Sequence, residues 1–70
     1  MDFSKRCLEV RIKLNLSQEM LARKLDVSFA TVNRWEKGKA LPQKLILYRF
    51  EKLCEENGIE FMADTDTLKN

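Results

Sequence analysis

The chain has 70 residues, a formal net charge of +2 and 44% hydrophobic residues. This length fits one small domain, which buries only about 60% of the surface that its unfolded chain exposes. No apolar run approaches the roughly 20 residues that a membrane-spanning helix needs, and no signal segment opens the sequence. We therefore expect a cytoplasmic protein that does not associate with a membrane.

The residue types that most enzymes and metal sites require are scarce. The sequence contains no histidine and two cysteines, Cys7 and Cys54, too few to close a four-ligand zinc site. Both cysteines fall on apolar helical faces, so we expect them to pack in the core. A glycine-rich phosphate loop and an activated nucleophile are also missing. The sequence therefore predicts no enzyme, no cofactor and no metal.

The charges are distributed unevenly along the chain. Residues 1–16 carry four basic and two acidic residues, and residues 17–44 carry six basic and three acidic residues, a net charge of +3. Residues 45–70 reverse the balance, with three basic and six acidic residues. A basic segment is typical of a nucleic-acid binder, although +3 alone also fits an ordinary solvated surface.

The first predicted helix spans residues 2–14. Its apolar residues recur at spacings of four, three and four and form one stripe: Phe3, Cys7, Val10 and Leu14. Leu8 and Ile12 lie beside this stripe, so we expect burial on more than one flank. Asn15 ends the helix, and Leu16 enters the core.

Residues 17–38 predict two further short helices joined by a tight turn. Ser17 and Ser28 are N-caps, Asp26 lies where the earlier of these helices should stop, and Gly38 ends the later one. The inward-facing apolar residues of this pair are Leu21, Ala22, Leu25, Val32 and Trp35. This spacing predicts a helix-turn-helix.

The later helix of the pair leaves one side free. Ala30, Asn33 and Arg34 lie opposite its apolar residues, and Phe29 lies at its exposed N-terminal end. This face contains no Asp or Glu, which suits a polyanionic partner. We expect Trp35 to lie in the core rather than to stack on a base.

This stretch resembles the helix-turn-helix of the lambda repressor/Cro-type (XRE-type) family, and the resemblance covers roughly residues 4–57. The matching residues are Val10-Arg11, Ser17-Gln18, Leu21-Ala22, Leu25, Val27-Ser28, Thr31-Val32, Arg34-Trp35-Glu36, Gly38 and Pro42. Asp26 departs from the glycine usual in the turn, and Asn15 from the glycine that commonly closes the first helix. Both residue types tolerate a left-handed backbone, so we expect the turns to be kept.

The resemblance implies that Arg11 pairs with Glu36. It also implies that residues 29–37 lie in the major groove of DNA and that the loop after them follows the DNA backbone.

The candidate DNA-binding residues are Gln18, Ser28, Phe29, Ala30, Thr31, Asn33, Arg34, Lys37 and Lys39. Arg34 is the best candidate for a bidentate contact to guanine, while Phe29 and Ala30 offer apolar surface to thymine methyls. The hydroxyls of Ser28 and Thr31 and the amide of Asn33 suit hydrogen bonds to bases or phosphates. Gln18, at a helix N-terminus, suits a phosphate, or is only a polar start to the helix. Lys37, Lys39 and also Lys44 suit contacts to phosphates, or else are solvated surface charges.

The C-terminal third predicts one long helix and a short extended segment. Pro42 is set for a helix start, and residues 43–57 form an amphipathic pattern that ends at Asn57-Gly58. Residues 58–63 alternate apolar and polar residues like a strand that pairs with a second copy, or else dock as an extended tail. We expect residues 61–70 to be an extended or disordered tail, in which the DTDT run is a poor calcium site.

Together these patterns predict an all-α, lambda repressor-like domain of four to five helices over residues 1–60. The predicted function is a sequence-specific transcriptional regulator that binds double-stranded DNA as a homodimer on a pseudo-palindrome. The alternative is a protein-interaction module or an antitoxin-type partner on the same fold, with its partner surface in residues 45–63.

Overall fold

A computed structural model describes residues 2–60 as four helices, with no strand among them. They are α1 (Phe3–Leu14), α2 (Gln18–Leu25), α3 (Phe29–Glu36) and α4 (Lys44–Glu56). The predicted all-α fold with a helix-turn-helix is therefore confirmed. The strand predicted for residues 58–63 is absent from its first three residues, and the rest of it, like the predicted tail, lies outside the described residues. None of the four helices is long and apolar enough to cross a membrane.

α3 lies at the centre of the fold, because it packs against both α1 and α2, while α4 packs against α2. An aromatic cluster joins three of these helices. The Phe3 ring lies edge-on to Trp35 with centroids 5.3 Å apart, and 4.8 Å from Phe50. Trp35 is 2% exposed, which confirms its predicted place in the core. Such ring pairs add about 0.5–1.5 kcal/mol each beyond their burial.

All four helices end with the same backbone geometry. A residue in the left-handed region follows each helix, or its capping residue, with φ between 57° and 74°: Asn15, Asp26, Gly38 and Gly58. The amide of the next residue then donates to a carbonyl five positions back, as from Leu16 to Arg11 and from Ile59 to Cys54. This is the Schellman arrangement. The predicted stops are confirmed at all four positions.

The residue after three of these four turns is apolar and returns the chain to the core. Leu16 is 9% exposed, Ile59 is 8% exposed, and Val27 packs against the core from its edge. The fourth position is Lys39, which stays exposed. Three of the turns thus fix the direction of the following chain by burying a side chain, while the turn after α3 leaves a cation at the surface.

α1 is buried on one flank and not on two. Phe3, Cys7 and Val10 are buried as predicted, but Leu8 is 45% exposed and Ile12 is 70% exposed. The prediction for these two residues was wrong because α3 covers one side of α1, and a helical period does not state how wide the covered stripe is.

Pro42 also differs from its prediction. α4 begins at Lys44 with Gln43 as its N-cap, so the proline lies two positions before the first helical residue. Arg49 of α4 donates to the Leu25 carbonyl at 3.3 Å and lies 3.9 Å from Asp26. This contact ties α4 to the C-terminal end of α2 and gives a donor to one of the carbonyls that a helix end leaves unpaired.

Cys7 and Cys54 are free thiols buried in the core, as predicted. Burial, with the nearby Glu36 carboxylate as a smaller cause, raises the pKa of Cys7 to about 12. Burial also raises the pKa of Cys54. Because the thiolate is the reactive form, both cysteines are chemically quiet and serve as small apolar residues.

Candidate nucleic-acid interface

The candidate interface is the outer face of α3, defined here as Phe29, Ala30, Asn33 and Arg34. Phe29 is 52% exposed, Ala30 and Arg34 are exposed, and Asn33 is half-buried. The opposite side of the same helix places Val32 and Trp35 in the core. The predicted division of α3 into a buried side and a free side is therefore confirmed.

The cations at and beside the outer face have no partners within residues 2–60. The side chains of Arg34, Lys37 and Lys39 make no hydrogen bond or ion pair within residues 2–60, and Asn33 makes none there either. Lys37 and Lys39 follow α3 directly and are exposed. An open basic surface without internal partners is what a polyanion requires, because its charges are not already neutralised.

The two hydroxyls at the start of α3 are already used for capping. The Ser28 hydroxyl accepts from the Thr31 amide at 3.1 Å and lies 2.9 Å from the Thr31 hydroxyl. Each hydroxyl keeps some hydrogen-bonding capacity for a second partner. Their first role is to fix the N-terminus of α3, and their contacts to bases or phosphates stay predictions.

A polar junction, defined here as Arg11, Gln18 and Glu36, joins α1, α2 and α3. Arg11 binds the Glu36 carboxylate through two nitrogens, with Nε–Oε2 and Nη2–Oε1 distances of 2.7 and 2.9 Å. Its third nitrogen donates to the Leu16 carbonyl at 3.3 Å. The Arg11–Glu36 pair that the resemblance implied is confirmed, with the two-bond geometry that only arginine offers.

Gln18 is the third member of the polar junction. Its side-chain nitrogen donates to Oε1 of Glu36 at 2.8 Å, which fixes this side chain at the start of α2. The α2 N-cap is Ser17, whose hydroxyl accepts from the Met20 amide at 3.0 Å, so the Gln18 and Glu19 amides remain available at the positive end of the helix. A phosphate contact of Gln18 stays a prediction.

Electrostatics favour the charged form of Glu36. Burial alone opposes ionisation, but the hydrogen bonds from Arg11 and Gln18, with the Arg11 charge, outweigh it and lower the pKa of Glu36 below its ordinary value of 4.5. The same pairing raises the pKa of Arg11. The carboxylate next to the candidate interface is therefore neutralised from within the protein.

Two features near the interface escaped the sequence analysis. The Gln18–Glu36 bond spans 18 positions, and no local pattern reports a contact of that separation. A cleft of about 350 Å³ lies beside Arg34, between α3 and the start of α4, with Trp35, Pro42 and Ile46 in its walls. Its lining combines positions from three segments, so only the folded chain reveals it. Among residues 2–60, no cluster of three or more His, Cys, Asp or Glu residues could hold a metal ion.

Comparison with known proteins identifies the family to which this chain belongs. A family model described as helix-turn-helix matches residues 8–68. The HTH-type transcriptional activator BcrR of Enterococcus faecalis is 40% identical over 78 aligned positions, which cover the whole chain and 38% of that relative. The chain thus spans well under half the length of the curated relative that it matches. No solved structure matches the chain.

The fold and its free basic face define a DNA-binding helix-turn-helix domain, the class of domain found in transcriptional regulators. The chain belongs to the helix-turn-helix family, since the family model covers most of its length. The resemblance to the lambda repressor/Cro-type family is thereby confirmed.

Proposed function

We propose that this protein regulates transcription by binding a specific DNA sequence, with α3 in the major groove. The observation that carries the proposal is the outer face of α3, which is exposed and free of acidic residues. The cations beside it make no ion pair within residues 2–60. The relative's name describes a transcriptional activator, which supports a regulatory role and agrees with a function that is not enzymatic.

Base recognition falls to the outer face of α3. Arg34 is exposed and makes no ion pair or hydrogen bond with the described part of the chain, so its guanidinium is available to bind guanine through two bonds. Phe29 and Ala30 present apolar surface near the N-terminus of α3, where thymine methyls are recognised. Asn33, Ser28 and Thr31 supply hydrogen bonds to bases or phosphates at the same end.

Phosphate contacts come from the two sides of this face. Gln18 and the free amides at the start of α2 form one contact, and the lysines after α3 form the other, namely Lys37 and Lys39. These contacts set the position of the domain on the duplex and carry no sequence information of their own.

One copy of this domain makes few contacts, so we propose a homodimer on two half-sites related by a two-fold axis. Half-sites in such operators lie one helical turn of DNA apart or a multiple of it, so the spacing of the bound sequence reports the geometry of the dimer.

The test of the proposed function is selection of bound sequences from a random duplex pool, followed by affinity measurements on Arg34→Ala. We expect a loss of about 1–3 kcal/mol on the selected site and relaxed preference at one base pair. Arg23→Ala is the matched control, because Arg23 is an exposed arginine on α2 that pairs with Glu19 at 3.3 Å, away from the outer face. A selection without enrichment, or equal losses for the two variants, would overturn the proposal.

A further inference from the structure

α4 carries an exposed stripe on the side away from the core. Leu45 is 61% exposed and Tyr48, three positions later, is 60% exposed. Lys52 and Glu55 continue the stripe at spacings of four and three, and they pair with each other at 3.7 Å. Spacings of three and four keep residues on one side of a helix. One face of α4 therefore has an apolar half followed by a charged half, and we call it the α4 stripe.

We propose that a second copy of this chain binds the α4 stripe, with the two α4 helices antiparallel and a two-fold axis between Leu45 and Tyr48. A two-fold contact is self-complementary, so each contact occurs twice. In this register Leu45 packs against the partner's Tyr48, and Tyr48 packs against the partner's Leu45. Four apolar side chains that water now surrounds would form one closed cluster at the axis.

The charges beside the stripe select the antiparallel direction. Lys44 and Glu51 lie seven positions apart on the same edge of the stripe, and in the antiparallel register Lys44 falls opposite the partner's Glu51, twice. Lys44 makes no hydrogen bond or ion pair with any described residue. Glu51 has a long 3.8 Å contact to Arg6, with its side chain 56% exposed. Both groups are therefore available for a partner.

A parallel arrangement of the same two helices would place like charges together. Lys44 would lie next to the partner's Arg49, and Glu51 next to the partner's Glu56. Both pairs are repulsive, so the sequence of α4 discriminates between the two directions by charge as well as by apolar contact.

A second exposed apolar pair among residues 2–60 lacks this complementarity. Leu8 and Ile12 lie on α1, and the adjacent Glu9 and Lys13 already pair with each other at 3.1 Å. Lys5, three positions before Leu8, has no ion pair within residues 2–60, but the acid on this side of α1, Glu9, is already paired, so the surface offers no pair of opposite charges to direct a second copy. It therefore serves as a control surface of similar polarity.

The value of this dimer rests on the proposed function, because two copies related by a two-fold axis match two half-sites on DNA. The association itself does not depend on DNA. An interface of one helix per copy is small, so we expect a reversible dimer that DNA reinforces by bringing two copies together.

The experiment is sedimentation equilibrium of the full chain up to millimolar concentration, without DNA. We expect reversible dimerisation that Leu45→Glu weakens about tenfold or more, whereas Ile12→Glu on α1 leaves it unchanged. An equimolar mixture of Leu45→Glu and Tyr48→Lys should dimerise again, because the mixed dimer keeps one original contact and gains a Glu–Lys contact in place of the other. Circular dichroism confirms that each variant is folded.

Three results would overturn the proposed interface: a monomer at every concentration, equal losses for Leu45→Glu and Ile12→Glu, or a mixture that stays monomeric. Binding of Leu45→Glu to a single half-site separates this proposal from the proposed function. If the wild-type chain is monomeric but binds the half-site, only the proposed interface is wrong. If the chain dimerises but binds no DNA, only the proposed function is wrong.

Discussion

The polar junction and the outer face of α3 both include residues of this one short helix, yet the polar groups of the first are paired and those of the second are not. At the polar junction, Arg11, Gln18 and Glu36 satisfy one another through bonds of 2.7–2.9 Å. On the outer face, Asn33 and Arg34 bind nothing within the described part of the chain. Paired groups hold α3 in position, and unpaired groups remain available to a partner. This difference is the physical basis for proposing the outer face as the binding side.

The largest expected effect comes from breaking the polar junction. Arg11→Ala leaves the Glu36 carboxylate largely buried and without its counter-charge, so the free energy of unfolding should fall by about 3 kcal/mol. The measurement is urea unfolding of Arg11→Ala, Glu36→Ala and the double variant. We expect the Arg11→Ala loss to shrink sharply when Glu36 is already alanine. Additive losses would mean that the two side chains do not stabilise the fold as a pair.

Acid should weaken the same junction. The folded pKa of Glu36 lies below its ordinary value of 4.5, so its contribution to stability is complete above that pH and disappears as the pH falls through the folded pKa. Urea unfolding of wild type and Glu36→Gln from pH 7 to pH 2 measures this. The difference in the free energy of unfolding between wild type and Glu36→Gln should shrink as the pH falls. A difference that stays constant would contradict the lowered pKa of Glu36.

A smaller effect is expected at the turn between α2 and α3. Asp26 has φ 60°, a conformation that costs an ordinary L-residue about 1–2 kcal/mol and glycine almost nothing. Asp26→Gly should therefore raise the free energy of unfolding, by about 1 kcal/mol at most, since aspartate tolerates this region and the mutation also removes its long contact to Arg49. Gly38→Ala, at φ 74°, is the matched reverse change and should destabilise. If both variants moved in the same direction, backbone strain would not be the cause.

The smallest expected effect is at the edge of the outer face. Lys37 is exposed and has no ion pair among residues 2–60, so Lys37→Ala should weaken binding to all DNA sequences alike and reduce the salt slope by about one unit. Affinity titrations across a salt series on specific and random duplexes measure both quantities. Lys24→Ala, on the exposed side of α2, is the control. A sequence-dependent loss for Lys37→Ala would make this lysine a base contact.

Local signals predicted the helices and their ends well. Each of these signals depends on residues only a few positions apart in the sequence. They are the capping serines, the apolar spacings of three and four, and the residues that end the helices in the left-handed region. They located α2 and α3 and the turns at Asn15, Asp26 and Gly38. The division of α3 into two sides followed from its period alone.

The features that the sequence did not predict share one physical cause. The apolar period of a helix does not show which other elements pack against it. It placed Leu8 and Ile12 beside the buried stripe of α1 but could not show that α2, α3 and α4 leave them exposed. For the same reason it missed the bond from Gln18 to Glu36 and the contact of Arg49 with the end of α2. The Arg11–Glu36 pair was anticipated only through the family resemblance.

The chemically quiet thiols have a practical consequence. With Cys7 and Cys54 sealed in the core, maleimide dyes have little thiolate to attack in the native protein. A single new cysteine at Ala30 would then accept a fluorophore selectively, without deleting the native sulfurs. Its emission would change when a duplex covers that position, giving a direct optical readout of docking at the outer face.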